Sequence, residues 1–428
     1  MSRYLFLILL TATVACAEDA EPRSFFPVAL DQEFPDAENA FHEVMDLILE
    51  NYYTTEITEE ALFYSAITGM LRHVSPPENK SLGKLWKPAD YDKVRNNLKG
   101  VQVSTGVKST FSQQDGSLTV TGVLPGSPAE GVLLPYDRIL RINDEPLKGK
   151  LVSDIDSMMN GEVGTEVKLT IVRDVQIFDV VIKLKEFKTA NLSVAVLPNE
   201  IGFVEIHKIT AGITDELKNE LDALQAKNVK KLILDLRDNT GGVFMESLRL
   251  AELFLANKSV LMRLQQRQAP TKLGEAGEEE EKRYVSSNET PYDFEIVLLV
   301  NKNTASSCEI IAAALRDHKA ATIVGAGTYG KSVIEKTYTL DNNYRCKFII
   351  GAMYTPRGVS WQSKGVLPDF SAPQDGSTYK AVAKLTPNQR LSKDVPLITA
   401  YKLPKERTIY GPLQIESRID QDTEISQS

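Results

Sequence analysis

A chain of 428 residues is long enough for two or three domains. Hydrophobic residues at 42% and charged residues at 25% are ordinary globular values, so a packed core is expected throughout most of it. The net charge of −9, with no basic cluster interleaved with aromatics, argues against nucleic acid as a partner.

The first residues read as an export signal. Ser2-Arg3 precedes the apolar run Tyr4–Leu10, and small residues continue to Ala17, a stretch too short to span a bilayer. Ala15-Cys16-Ala17 fits an A-x-A cleavage site. Thr13-Val14-Ala15-Cys16 also resembles a lipobox, with Thr13 where leucine is usual. Residues 1–17 are therefore expected to direct the protein to the periplasm, either free or tethered to the membrane through a lipidated Cys16. Besides Cys16 only Cys308 and Cys346 occur, too few for a disulfide framework. Two buried thiols are expected, and pairing would need Cα atoms within about 7 Å.

After a polar linker at 18–33, Phe41, Val44, Met45, Leu47 and Ile48 recur at helical spacing. A second helix is predicted over Glu59–His73, stopped by Ser75-Pro76-Pro77. These make a helical region over 34–99, in which His42 and His73 are isolated and imply no metal site. From 100 to 187 the pattern turns to short alternating strands and turns. The region 188–380 alternates strands and helices: a strand at Gly202–Ile206, a helix at Thr214–Ala226, and a buried strand at Lys231–Leu236. The turn Arg237-Asp238-Asn239-Thr240-Gly241-Gly242 then leads into a helix at Met245–Leu255. Gln265–Pro291, with the acidic run Glu278–Glu281, is expected to be a solvated loop. The predicted fold is multidomain α/β plus β, its α/β core built on a largely parallel sheet. The part from 381 to 428 is a short helix at Lys393–Leu403 and a polar tail without structure beyond Tyr410.

Within the core, Leu299–Ser332 carries the chemistry. Ser306-Ser307-Cys308-Glu309 is an S-x-x-E capping-box pattern opening an apolar helix. Gly325–Ser332 satisfies G-x-x-x-x-G-K-S, the phosphate-loop pattern. A phosphate loop must open a helix, whereas the β-branched and aromatic segment Ser332–Leu340 runs into the turn Asp341-Asn342-Asn343 and reads as a hairpin strand.

Thr304-Ala305-Ser306-Ser307-Cys308-Glu309-Ile310, with Asp317 and then Thr328-Tyr329-Gly330-Lys331, resembles the core of the C-terminal processing peptidases, also called tail-specific proteases. The interval of 25 positions from Ser306 to Lys331 agrees with that family. The turn Arg237–Gly242 is similar as well, with Thr240 in place of proline, as are Tyr354–Gly358 and Lys364–Asp369. Gly126-Ser127-Pro128-Ala129, Asp137–Asn143 and Gly164–Arg173 resemble a PDZ module. The likeness runs from about Phe34 to Leu403.

The resemblance implies a serine endopeptidase without cofactor or metal. Ser306 would be its nucleophile, Lys331 its general base, and Gly241, Gly242 and Ser307 its oxyanion donors. Its substrates would be proteins or peptides held by their C-terminal tails, through a carboxylate loop at Gly100-Val101-Gln102-Val103. Gln102 and Tyr136 stand where that module has glycine. Assembly into a homo-oligomer is left open, and a tail-binding scaffold with an inactive core would share every feature but turnover. Glu335 occupies the position of a glutamine held to assist the lysine. Four residues of strand span about 13 Å, so Glu335 meets Lys331 only if the chain bends, and Ser332 replaces the glycine that would ease the bend. If they meet, an ionised carboxylate favours the charged lysine.

Overall fold

A computed structural model describes residues 36–54, 56–76, 82–134, 136–150, 152–188, 190–268, 277–374, 382, 385–403 and 422–424. The expected signal segment, Cys16 and the linker lie outside the described residues, as does most of the polar tail. The chain divides into two compact units, 1–84 and 85–428.

The first unit carries the helices Ala37–Asn51 and Glu59–His73, as the periodicity predicts. The second is well bounded. The Thr58 hydroxyl accepts the Ala61 N–H at 3.2 Å, Glu59 and Glu60 occupy its first turn, and Arg72 and His73 its last.

In the second unit a six-stranded antiparallel sheet has the order Val107–Ser112, Ser117–Val123, Arg138–Ile142, Glu166–Arg173, Gln176–Lys183, with the short strand Glu145–Pro146 also paired to Arg138–Ile142. Its inward residues Ile139, Ile142, Leu169, Ile171 and Ile182 bury a core with Ile155 of the helix Val152–Met158. Gly100, Val101, Gln102 and Val103, expected as a carboxylate loop, lie outside this sheet. Val101–Ser104 pairs with Lys185–Lys188 in a separate two-stranded ribbon. The edges of the sheet are Val107–Ser112 and Gln176–Lys183.

The core sheet follows the order Leu192–Leu197, Ile201–Ile206, Lys231–Asp235, Glu295–Val300, Ala321–Gly325, Phe370–Ser371. Its first pairing is antiparallel and the other four are parallel. Both faces are covered, so Lys231–Asp235 is buried at every position. On one side Leu232 and Leu234 share a cluster with Leu217 and Leu221 of Ile213–Ala226, Leu248 of Phe244–Glu252, and Ala312 and Leu315 of Ser307–Asp317. On the other, Ile233, Val297 and Leu299 pack with Leu397 and Ala400 of the helix Val395–Lys402.

A second sheet joins the hairpin Val333–Thr339 and Arg345–Tyr354 to Val260–Arg267 and Glu279–Val285. The strands Val260–Arg267 and Glu279–Val285 thus enter the span Gln265–Pro291, expected as a solvated loop. Its acidic run is matched across the ladder: Glu279 faces Arg267 in register, and Glu281 pairs with Arg263 at 3.3 Å and Arg283 at 3.0 Å. Asp422–Glu424 adds a short parallel edge to Glu279–Val285. Among the described residues no helix is long and apolar enough to cross a membrane.

Candidate active site

Parallel strands direct their carboxyl ends to one side of a sheet, the usual place for a ligand site. Two neighbours, Lys231–Asp235 and Glu295–Val300, end there in turns that are bonded to each other. Asn301 accepts the Asp238 N–H at 3.1 Å and donates to the Asp238 carboxylate at 3.0 Å. The Thr304 hydroxyl donates to Leu236 O at 2.9 Å, and the Ala305 N–H donates to Asn239 O at 3.1 Å. Gly241 then lies directly against Ser306. A Cβ on Gly241 would stand 2.9 Å from both Ala305 O and Ser307 N, and its φ is +89°. Only glycine fits there.

Ser306 precedes the helix Ser307–Asp317 with φ 56° and ψ −119°, a conformation that L-residues adopt at a cost and that recurs where a nucleophile is presented on a sharp turn. Glu309, fully buried, holds the turn in place. Glu309 Oε2 accepts the N–H groups of Ser306 (2.8 Å) and Lys331 (2.9 Å), while Oε1 accepts the Gly330 N–H (2.7 Å) and the Thr328 hydroxyl. Burial pushes the Glu309 carboxyl up against the pull of these donors. The sequence pattern gives Glu309 only as a helix cap. The structure makes it the joint between the Ser306 turn and the Thr328–Lys331 loop.

Lys331 and Glu335 do meet, with Nζ 2.8 Å from Oε2. The strand begins only at Val333, and its ladder shifts register between Ile334 and Glu335, so the bend is supplied by a bulge rather than by a glycine. Ser332 is accommodated by full burial, its N–H donating to Gln362 Oε1 at 2.8 Å. The Trp361 indole N–H donates to Lys331 O at 3.3 Å. Burial opposes ionisation of Glu335, but Lys331 and the neighbouring Lys347 outweigh it and hold the carboxyl below its usual range. The segment after Lys331 is strand, not helix, which removes the phosphate-loop reading.

Of the expected oxyanion donors, Gly241 is already engaged, since its N–H donates to Asn239 Oδ1 at 3.0 Å. The N–H groups of Gly242 and Ser307 have no hydrogen-bond partner among the described residues. Asp317 lies away from this turn and accepts the Arg357 N–H at 3.1 Å, fixing the Thr355–Gly358 loop. Cys308 is buried beside Ser307 and burial pushes its thiol well up, which makes it inert, while Cys346 is only half-buried; both are free. Among the described residues no cluster of His, Cys, Asp and Glu is arranged to hold a metal.

Two regions of the chain match known protein families. The profile of peptidase family S41 matches residues 200–372, and that of the PDZ domain matches 106–184. A "Probable CtpA-like serine protease" of Staphylococcus aureus (strain COL) is 26% identical over 359 residues, covering 83% of this chain and 68% of its own. A Staphylococcus saprophyticus protein of the same name is 25% identical over 324 residues, covering 75% and 62%. Among solved structures, a Bacteroides fragilis protein assigned as an S41 protease superposes with a TM-score of 0.51 at 14% identity, over 87% of this chain and all of its own. The photosystem II D1 C-terminal processing protease gives 0.48 at 20% identity, over 79% and 94%. Residues 200–372 thus form a serine-peptidase domain of family S41 and residues 106–184 a PDZ domain, in a chain similar to the CtpA-like serine proteases.

Proposed function

We propose that the protein is an exported endopeptidase that captures the C-terminal tails of other proteins and cleaves them with a Ser306–Lys331 dyad. One observation carries this reading: a single buried carboxylate, Glu309, accepts the main-chain N–H of both Ser306 and Lys331. That shared carboxylate supports the reading by holding the Ser306 turn against the loop that carries Lys331. In the reaction, neutral Lys331 takes the Ser306 proton as Oγ bonds to the scissile carbonyl carbon. The oxyanion is received by the N–H groups of Gly242 and Ser307. Lys331 then gives the proton to the departing amine, and water hydrolyses the acyl-enzyme by the same route. Lys331 Nζ is held by Glu335 at rest, so a turnover needs it to come within hydrogen-bond reach of Oγ.

Tail capture is assigned to the open edge of Val107–Ser112, where an added strand would find unpaired main-chain groups. The turn before this edge is tied to the end of the helix Val152–Met158, with the Thr105 N–H donating to Met159 O at 3.0 Å. The Lys331–Glu335 pair favours a second reading, a tail-binding scaffold without turnover.

One assay separates the two. The mature chain is expected to degrade an unfolded protein with an apolar, free C-terminus, and more slowly when that terminus is amidated. Ser306→Ala and Lys331→Ala should bind the tail and leave it intact. Cleavage retained in either variant would end the dyad reading, and wild-type binding without cleavage would establish the scaffold. Export is supported by the pattern over Ser2–Ala17. Intact-mass measurement after expression in an export-competent bacterium should show a chain that begins at or just after Cys16. An uncleaved chain starting at Met1 would refute export by this signal.

A further inference from the structure

The Glu335 carboxylate has two cationic partners, one on each oxygen. Oε2 takes Lys331 Nζ at 2.8 Å and Oε1 takes Lys347 Nζ at 2.8 Å. All three side chains are partly withdrawn from solvent, with relative exposures of 21% for Lys331, 12% for Glu335 and 24% for Lys347. Lys347 reaches the carboxylate because the hairpin aligns Thr337 with Lys347 and Glu335 with Ile349, which puts Glu335 and Lys347 on one face as diagonal neighbours. The Lys347 ammonium also lies 5.7 Å from the Trp86 ring centroid, a second hold on its position.

We propose that Lys347 is a positioning residue of this site, whose charge offsets that of Glu335 so that the carboxylate can orient Lys331 without fixing it in the protonated state. The proposal rests on Lys331 being the base. A lone carboxylate 2.8 Å from an ammonium would favour the charged form, which cannot accept the Ser306 proton. Glu335 and Lys347 together carry no net charge. As a unit they are neutral, while still offering Lys331 an acceptor.

Other charges on the elements packed around the pair are otherwise engaged. Glu309, on the helix Ser307–Asp317, accepts the Lys331 main-chain N–H among four donors. Arg345 lies over Tyr91 and Lys336 over Tyr338. Arg263, on the adjoining strand, pairs with Glu281, and Lys364, in the loop against Gly330, is exposed. Among the described residues, only Lys331 and Lys347 pair with the Glu335 carboxylate.

The test is the pH dependence of kcat/KM for full-length protein acting on the unfolded, apolar-tailed substrate. Lys347→Met should move the rising limb to higher pH by roughly one unit, lowering neutral-pH activity about tenfold. Glu335→Gln alone should move the limb to lower pH, because Lys347 then faces Lys331 uncompensated. The double variant Glu335→Gln/Lys347→Met should return close to the wild-type profile, and Lys347→Arg should leave the limb in place. A Lys347→Met profile that superposes on wild type, or a double variant that keeps the Glu335→Gln shift, would overturn the proposal. Should Lys347→Met fail to fold, Lys347→Arg and the double variant decide the matter by the same limbs. Cleavage by Lys331→Ala would instead strike the dyad itself, so the two failures are distinct.

Discussion

Glu309→Ala is expected to abolish turnover and to lower the stability of the core by about 2–4 kcal/mol. Four donors converge on this carboxylate: the N–H groups of Ser306, Gly330 and Lys331 and the Thr328 hydroxyl. Each donor left unsatisfied in the interior costs about 1–3 kcal/mol, and relief from burying the charge offsets part of the sum. Activity should suffer more than stability. The carboxylate sets the distance between two segments whose side chains must exchange a proton, and a displacement of about 1 Å there costs about 100-fold. Glu309→Gln keeps the volume but replaces one acceptor oxygen with a donor that faces other donors, so it should fall between alanine and wild type. The checks are a denaturation midpoint and kcat/KM on the same preparations. A fully active, undestabilised Glu309→Ala protein would show that the Ser306 turn and the lysine loop hold their positions without this joint.

How much of this was legible beforehand depended on how local each feature is. The helix Glu59–His73 was predicted to the residue because capping, periodicity and the following prolines all act within a few positions. The spacing of Ser306 and Lys331 marked two segments that do adjoin through Glu309. That Glu309 would serve both could not be read from S-x-x-E, since its second set of partners lies some 20 residues on and only the tertiary fold delivers them. The meeting of Lys331 with Glu335 turned on a bulge between Ile334 and Glu335, and register irregularities leave little trace in sequence. Lys347 was missed for the same reason, because its partner is set by the register of the hairpin.

A further miss has a physical cause. The acidic run at Glu278–Glu281 looked solvated because its compensating Arg263, Arg267 and Arg283 become neighbours only across or along a ladder. Pairing across the fold likewise gives Val101–Ser104 to Lys185–Lys188 and leaves Val107–Ser112 at an edge of its sheet, which no local pattern announces.

Arg237 should prove the most costly single side chain to remove from the core. It is buried between two buried carboxylates: its guanidinium donates to Asp235 at 2.6 to 3.1 Å and to Asp394 at 2.8 Å twice. Burial works against its charge, yet Asp235 and Asp394 overcome this and keep it protonated. The triad spans two layers. Asp235 ends a central strand, Arg237 opens the turn that carries Gly241 and Gly242, and Asp394 caps the helix Val395–Lys402 by accepting the Leu397 N–H. Arg237→Met would strand two carboxylates without a counter-charge, at a cost of about 3–5 kcal/mol. For a core of this size that corresponds to a fall in Tm of about 10 °C. Because buried charges are costly when unpaired rather than strongly stabilising when paired, Asp235→Asn and Asp394→Asn added to Arg237→Met should recover a large part of the loss. Thermal melts of the single and triple variants test this directly. A single variant as stable as wild type would mean that the carboxylates find protons or water at no cost. A triple variant no better than the single would locate the loss in the shape of the guanidinium rather than in its charge.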